Sequence, residues 1–253
     1  MPTMFRMLAV TAHPDDEAAC FGGSLRLYSD RGVETSVVCL TPGQAARNRG
    51  SARDDQELAA LRRKEFAEAC AILHVSRSAV LDYPDGQLHR IEIHRPVADL
   101  VRHIRQFRPQ VVLSMGPEGA ITGHTDHSMA GMFTTLAFHW AARKNRFPDQ
   151  LSDGLPPHVA DKLYYCTAPE PLPNREPVCL PPPTARIDIG RYLDAKIAAF
   201  HAHRTQAPLF PFFDAHVGRL GSPELFHLVA CGVDAIAGTE SDLFEGVAQR
   251  QAA

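Results

Sequence analysis

The sequence predicts an α/β fold, a single domain over residues 1–253 with a mainly parallel sheet and helices on both faces. Three observations carry that reading. Short apolar runs alternate with longer helical patterns through the first two-thirds of the chain, and strands alternating with helices imply βαβ units. The 253 residues are 45% hydrophobic and 22% charged, the balance of an ordinary globular domain. A chain of that length buries roughly 70–75% of its unfolded surface without disulfide or metal staples. No internal repeat at a 20–50-residue period and no domain boundary divides it.

The elements follow in order. Phe5 to Ala12 reads as a buried strand, Ala18 to Asp30 as a helix closed by Gly32, and Val33 to Leu40 as a second strand. A polar loop runs from Thr41 to about Arg53. Asp54 to Leu73 is the clearest helix, because Leu58, Leu61, Phe66, Ala69 and Leu73 fall near one face. Asp54, Asp55 and Glu57 lead it, as a helix N-terminus prefers. Ser78 to Leu81 is a short strand, Ile91 to Phe107 a helix stopped by Pro109, Val111 to Ser114 a strand, and Asp126 to Arg143 a helix. Seven prolines between 169 and 183 exclude a central strand or helix interior there. The segment at about 168–184 reads as a Pro-rich surface loop, with a lid or an oligomer contact as the alternative. A strand (Arg186 to Ile189), a helix (Arg191 to Arg204) and a strand (Leu225 to Ala230) complete the pattern.

Composition excludes several function classes. There are 26 Lys plus Arg against 29 Asp plus Glu, a formal net charge of −3, and nucleic-acid binding wants a basic footprint instead. No apolar run approaches the 18 residues of a membrane span. The apolar stretch Met7 to Ala12 is short and runs straight into His13-Pro14-Asp15-Asp16-Glu17, unlike a signal peptide. None of the six cysteines forms a C-x-x-C pair. Together these features point to a reducing, cytoplasmic compartment.

Ligands of a parallel α/β sheet sit beyond the carboxyl ends of the strands. Two loops at that edge hold chemistry: His13-Pro14-Asp15-Asp16-Glu17 after the first strand, and Gly123-His124-Thr125-Asp126-His127 after the strand ending at Ser114. Each alone has a bland explanation. Proline and acids suit any helix start, and with 13 histidines a pair three apart is weak evidence. The conjunction is what counts. A hydrolytic metal site needs three protein ligands and an open position; two imidazoles and a carboxylate suit Zn²⁺, and also Fe²⁺. Lowering the pKa of bound water from about 15.7 to about 7 stabilises hydroxide by roughly 12 kcal/mol. A spare carboxylate can take the proton, and a cationic histidine can support the oxyanion and protonate the leaving nitrogen.

Ala12-His13-Pro14-Asp15-Asp16-Glu17, with the later His124-Thr125-Asp126-His127, closely resembles the PIG-L/LmbE-like family of metal-dependent de-N-acetylases. Arg62-Arg63-Lys64-Glu65, Tyr83-Pro84-Asp85-Gly86, His203-Arg204-Thr205-Gln206 and Asp242-Leu243-Phe244-Glu245-Gly246 resemble further family motifs along most of the chain. The resemblance implies a Rossmann-like fold, although no G-x-G-x-x-G follows the first strand, so no dinucleotide is implied. It also implies zinc held by His13, Asp16 and His127, with Asp15 as general base. His124 would be the oxyanion-stabilising acid, Asp126 the residue that orients or tunes a histidine, and Arg62 and Asp85 contacts to the sugar. The activity implied is removal of an acetyl group from a glucosamine-containing small molecule, by water activated at the metal. The alternatives are an amidase cleaving a larger thiol-sugar conjugate and a non-catalytic sugar-binding protein with a structural metal. Oligomers occur among such proteins, so a homo-oligomer is also implied.

Two positions depart from the family pattern. Gln44 stands where many members have Glu after the glycine, and Thr122 where some have Tyr; both bear on the substrate. His201 and His203 read as surface or helix-end residues. Arg47, Arg49 and Arg53 read as a solvated loop, with an anionic substrate group as the alternative. Leu209-Phe210-Pro211-Phe212-Phe213 reads as an apolar loop, in the core or at an oligomer contact.

Overall fold

A computed structural model describes residues 4–170, 172, 178–233 and 238–247. Seven strands form one sheet in the order β3-β2-β1-β4-β5-β7-β6. β1 (Arg6–Thr11), β2 (Glu34–Cys39), β3 (Arg77–Val80), β4 (Val111–Ser114) and β5 (Lys162–Thr167) run parallel. β7 (Pro223–Cys231) is antiparallel to both β5 and β6 (Ala185–Asp188). The sheet is mainly parallel, as the sequence predicts. No described helix is long and apolar enough to cross a membrane.

The central strands are sealed on both faces. Met7, Leu8, Ala9 and Val10 of β1 and Val111, Val112 and Leu113 of β4 are fully buried, the continuous apolar pattern of a strand covered by helices. Covering them are α1 (Asp16–Asp30), α2 (Asp55–Ile72), α3 (His94–Phe107), α4 (Thr125–Ala141) and α6 (Leu193–His201). α2 starts where its acids predict: the Asp54 side chain accepts the Glu57 backbone N–H at 2.8 Å.

The chain builds outward from β1 to β3 on one side and from β4 to β5 on the other. The order therefore reverses between β1 and β4, and a crevice opens beyond their carboxyl ends. α1 leaves β1, and α4 leaves β4, at that crevice. Gly131 lets α4 approach closely: a Cβ there would lie 2.2 Å from the Met115 carbonyl oxygen, just past β4.

Three elements go beyond the sequence reading. β5 is entirely buried, but it begins with Lys162, whose ammonium is paired at 2.6 Å with the buried Glu240. A lysine there masks an apolar run of only four residues. α5 (Pro148–Ser152) is one short turn of helix. α7 (Phe210–Leu220) replaces the loop expected around Leu209–Phe213. Its Pro211 lies in the first turn, where the missing N–H costs nothing. The Pro-rich segment falls partly outside the described residues: Pro171, Pro173 and Pro177 are among those not described.

Gly131→Ala forces α4 off β4 and is expected to destabilise the protein by about 1–3 kcal/mol, read as a lower urea midpoint at unchanged m-value.

Candidate active site

His13 is the centre of the crevice. It follows β1, is 9% exposed, and meets acids on both ring nitrogens. Nδ1 lies 3.4 Å from Asp16 Oδ2. Nε2 lies 3.1 Å from Asp85 Oδ1 and 3.4 Å from Asp126 Oδ2. These acids come from three loops, after β1, β3 and β4. Burial opposes charge on His13, but the bonds to Asp126, Asp16 and Asp85 prevail and raise its pKa well above the ordinary value.

Asp16 joins the two loops singled out in the sequence. Its Oδ1 lies 3.2 Å from His127 Nε2, while Oδ2 faces His13 and accepts the His13 backbone N–H at 2.8 Å. Burial pushes its pKa up; His127 and His13 outweigh that and hold it well below the carboxylate range. Asp126, at the head of α4, is fully buried and accepts backbone N–H groups from Gly86 and Leu88 at 2.7 and 3.1 Å. Asp85 Oδ2 takes the Ala45 N–H at 2.8 Å. The loops after β2, β3 and β4 are thus tied together beneath His13.

The second nitrogen of each imidazole decides what the first can do. His127 Nδ1 is 3.1 Å from the Thr122 hydroxyl, which donates to the Gly119 carbonyl at 3.2 Å. With its proton so committed, the Thr122 oxygen accepts from His127 Nδ1–H. His13 Nε2–H likewise points at two carboxylates. With a proton on each far nitrogen, His13 Nδ1 and His127 Nε2 are the ring atoms turned toward the two oxygens of Asp16. Metal-ligating histidines are held in this way by acceptors behind them. The two spacings around Asp16, 3.4 and 3.2 Å, run to its two different oxygens, one to each ring.

Two His/Asp groups among the described residues bring donor atoms within 4.8 Å of one another: His13, His124 and His127, and His13, Asp85 and Asp126. The first contains both expected histidines with His124 in place of Asp16. His124 caps α4, and its Nδ1 accepts the Asp126 backbone N–H at 3.1 Å. Burial lowers its pKa, with His13 and His127 lowering it further. The ring is therefore neutral, with its single proton on Nε2. Neither group contains a cysteine, the usual ligand of a closed structural zinc site.

Asp15 caps α1 with φ at 117°, a left-handed backbone that costs a residue other than glycine of order 1–3 kcal/mol. Two contacts hold it there. Its N–H donates to Glu17 Oε2 at 3.0 Å, and its Oδ2 accepts from Arg62 Nη2 at 2.9 Å. Burial pushes its carboxyl up to about 6, against the pull of Arg62.

Arg62 is only 3% exposed. Its terminal nitrogens also donate to the carbonyls of Pro14 and Gly43. Gly43 has φ of +69°, and a Cβ there would strike the guanidinium. Arg62 therefore fastens the loops after β1 and β2. Arg62 and Asp85, the residues implied for the sugar, do line the cavity, with the Arg62 terminal nitrogens engaged on Asp15, Pro14 and Gly43 and the Asp85 oxygens on His13 and Ala45.

The burial of His203 corrects its reading as a surface or helix-end residue, although the motif His203-Arg204-Thr205-Gln206 marked it. It is fully buried, with Nε2 2.6 Å from Oε1 of the equally buried Glu17, whereas His201 is half-exposed beside Asp214. Thr205 adds N–H and hydroxyl bonds to Glu65 at 2.7 and 2.6 Å. The signal was present in the alternation of His203 and Thr205, two polar residues whose acidic partners lie far earlier in the chain.

A cavity of about 630 Å³ opens on these groups. His13, Asp15, Asp16, His124 and His127 line its inner end, and Leu209, Phe212 and Phe213 bring α7 to its rim. From the loop after β2 the lining residues are Ala45, Ala46 and Arg47, not Gln44. The three loop arginines separate here. Arg49 and Arg53 pair with Asp55 and Glu57, and Arg47 reaches the cavity.

Residues 8–138, just over half of the chain, match the family model described as PIG-L: GlcNAc-PI de-N-acetylase. The chain belongs to the PIG-L family. It is 30% identical to 1D-myo-inositol 2-acetamido-2-deoxy-alpha-D-glucopyranoside deacetylase 1 of Frankia casuarinae, over 97% of this chain and 96% of that protein. It is also 30% identical to the mycothiol S-conjugate amidase of Streptomyces coelicolor, over 65% of this chain and 61% of the amidase. Among solved structures, N,N'-diacetylchitobiose deacetylase from Pyrococcus horikoshii superposes with a TM-score of 0.75 at 25% identity, over 88% of this chain and 83% of that one.

His203→Ala strands the buried Glu17 carboxylate and is expected to cost about 3–5 kcal/mol. His201→Ala is expected to cost under about 1 kcal/mol. Urea unfolding of the two variants side by side measures the difference.

Proposed function

We propose that this PIG-L member is a divalent-metal-dependent hydrolase that removes an N-acetyl group from a small glucosamine-containing molecule. The observation that carries the reading is the pairing of His13 Nδ1 and His127 Nε2 with the two oxygens of Asp16, beside the raised carboxyl of Asp15. His13, Asp16 and His127 would hold the ion. Zinc is the ion proposed, the same donor set also suiting Fe²⁺. The names of the relatives, which are amino-sugar deacetylases and an amidase, support the reaction class. The six unpaired cysteines support a reducing, cytoplasmic compartment.

A bound divalent ion supplies Lewis acidity toward an amide carbonyl and a water molecule. The rest falls to the chain's own groups. With a pKa of about 6, Asp15 is ionised at neutral pH yet basic enough to take a proton from water. Arg62 holds Oδ2, so Oδ1 receives that proton. His124 Nε2–H donates to the carbonyl oxygen as negative charge grows there. A neutral His124, held by the Asp126 N–H on Nδ1, differs from the cationic ring expected from the sequence. It stabilises charge but has no proton to spare. Asp15 then hands its proton to the leaving nitrogen, and the C–N bond breaks.

The amidase reading uses the same groups on a larger thiol conjugate and is favoured by the match to the Streptomyces coelicolor enzyme. Free-amine release from an N-acetylglucosamine derivative against a thiol-sugar conjugate separates the two.

Asp15→Ala is expected to retain metal by elemental analysis and lose kcat by about 10²–10⁴-fold. Full turnover by the metal-loaded variant removes Asp15 from the mechanism. His13→Ala is expected to lose the ion, and stoichiometric metal in that variant rejects the ligand assignment. Dialysis against a chelator should abolish amine release, and adding back Zn²⁺ should restore it.

A further inference from the structure

The cavity that holds the polar site shares part of its lining with a neighbour. Ala19, Cys20, Ala120, Ile121, Phe213 and His216 line it and also line a second cavity of about 160 Å³. Ala19 and Cys20 stand one helical turn beyond Asp16, and Ile121 stands beside Thr122, so this shared wall adjoins the proposed metal ligands. Three of the six are small side chains.

Beyond that wall the lining is apolar: Cys166 of β5, Ile189, Leu193, Val217 and Leu220 of α7, and Leu225 of β7. Its buried charges answer each other. Lys196 Nζ lies 2.6 Å from Glu224 Oε1, and the Glu224 carboxylate also takes the N–H groups of Gly23 and Ser24. Arg186, the other charged residue of the lining, is exposed. Burial lowers the pKa of His216, so it lines the space as a neutral ring. The hydrogen-bonding side chains Arg47, Asp85 and Gln206 line the first cavity only. An apolar space of about 150 Å³ admits a benzene-sized group.

An amide carbonyl sends its two substituents apart, the nitrogen with its sugar one way and the acyl chain the other. A hydroxyl-rich sugar needs many polar partners, and the second cavity is lined mostly by apolar side chains, with Thr167 and the exposed Arg186 among its few polar ones. The apolar half of the substrate fits it.

We propose that this second cavity is an acyl-chain subsite, so that besides an acetyl amide the site takes amides with a straight acyl group of about six carbons lying against Ala19, Ala120 and α7. The proposal rests on the hydrolase reading and extends it. The reaction is balanced as hydrolysis: water adds to the acyl carbon, the C–N bond breaks, and a fatty carboxylate and a protonated amino sugar leave.

The test uses the metal-loaded protein with glucosamine N-acylated by acetyl or by hexanoyl. Each methylene buried is worth roughly fourfold in affinity, so kcat/KM for the hexanoyl amide is expected to exceed that for acetyl by about tenfold or more. Cleavage of acetyl with equal or slower cleavage of hexanoyl overturns the subsite and leaves the hydrolase reading standing. Cleavage of neither overturns both. Val217→Phe fills the second cavity, and Leu220→Phe, at the half-buried end of α7, does so more mildly should the first variant fail to fold. The hexanoyl-to-acetyl ratio is expected to drop about tenfold in a folded variant; an unchanged ratio overturns the proposal.

Discussion

Four carboxylates crowd one buried imidazole. Asp16, Asp85 and Asp126 contact His13 directly, and Asp15 stands two residues along the chain, with Arg62 as its cationic partner. Like charges so close in a low dielectric repel strongly, and one guanidinium with one imidazolium offsets only half of them. A divalent cation in that position would answer more of the charge than a proton on His13 does. The fold gathers these acids because the strand order reverses between β1 and β4. Loops leaving neighbouring strands toward opposite halves of the sheet open a crevice that their own side chains must fill.

Holding Asp15 in place takes support from the rest of the chain. Asp15 adopts a backbone conformation that a residue other than glycine resists. Glu17 holds its N–H and Arg62 its carboxylate. Those two are secured in turn: Glu17 by His203, and α2, which carries Arg62, through Glu65 bonded to Thr205. The turn after α6 thus locks α1 and α2 at the ends that face the site. These contacts fix the Asp15 carboxylate at the crevice.

The sequence made the first half of the fold legible because its signals are local. β1, β2 and β4 are apolar runs bounded by turns, and α2 has both a stripe and a cap. The donor residues were legible as clusters at strand ends. What escaped was encoded across distance. Lys162 disguises β5 until Glu240 is seen beside it. Pro211 disguises α7 until it is seen in the first turn. His203 looked like a surface residue because its partner lies 186 positions earlier. Thr122 looked like a missing Tyr hydroxyl, yet it is the acceptor that fixes the His127 proton. Spacing rules capture neighbours on one helix or strand, and each of these contacts joins separate elements or loops.

Chemistry and selection are carried by different lengths of chain. The stretch matching the family model, residues 8–138, contains every donor around His13 together with Asp15, Arg62 and the Thr122 that orients His127. It contains none of α7, β6 or β7. After β5 the sheet changes direction, and the antiparallel pair of β7 with β6 returns the chain so that α7 stands over the crevice. The parallel half therefore carries the His and Asp cluster, and α7 with the antiparallel end supplies the apolar wall of the second cavity. Ala19 and Ala120 are the places where the two halves meet. A larger side chain at either would encroach on the wall that both cavities share.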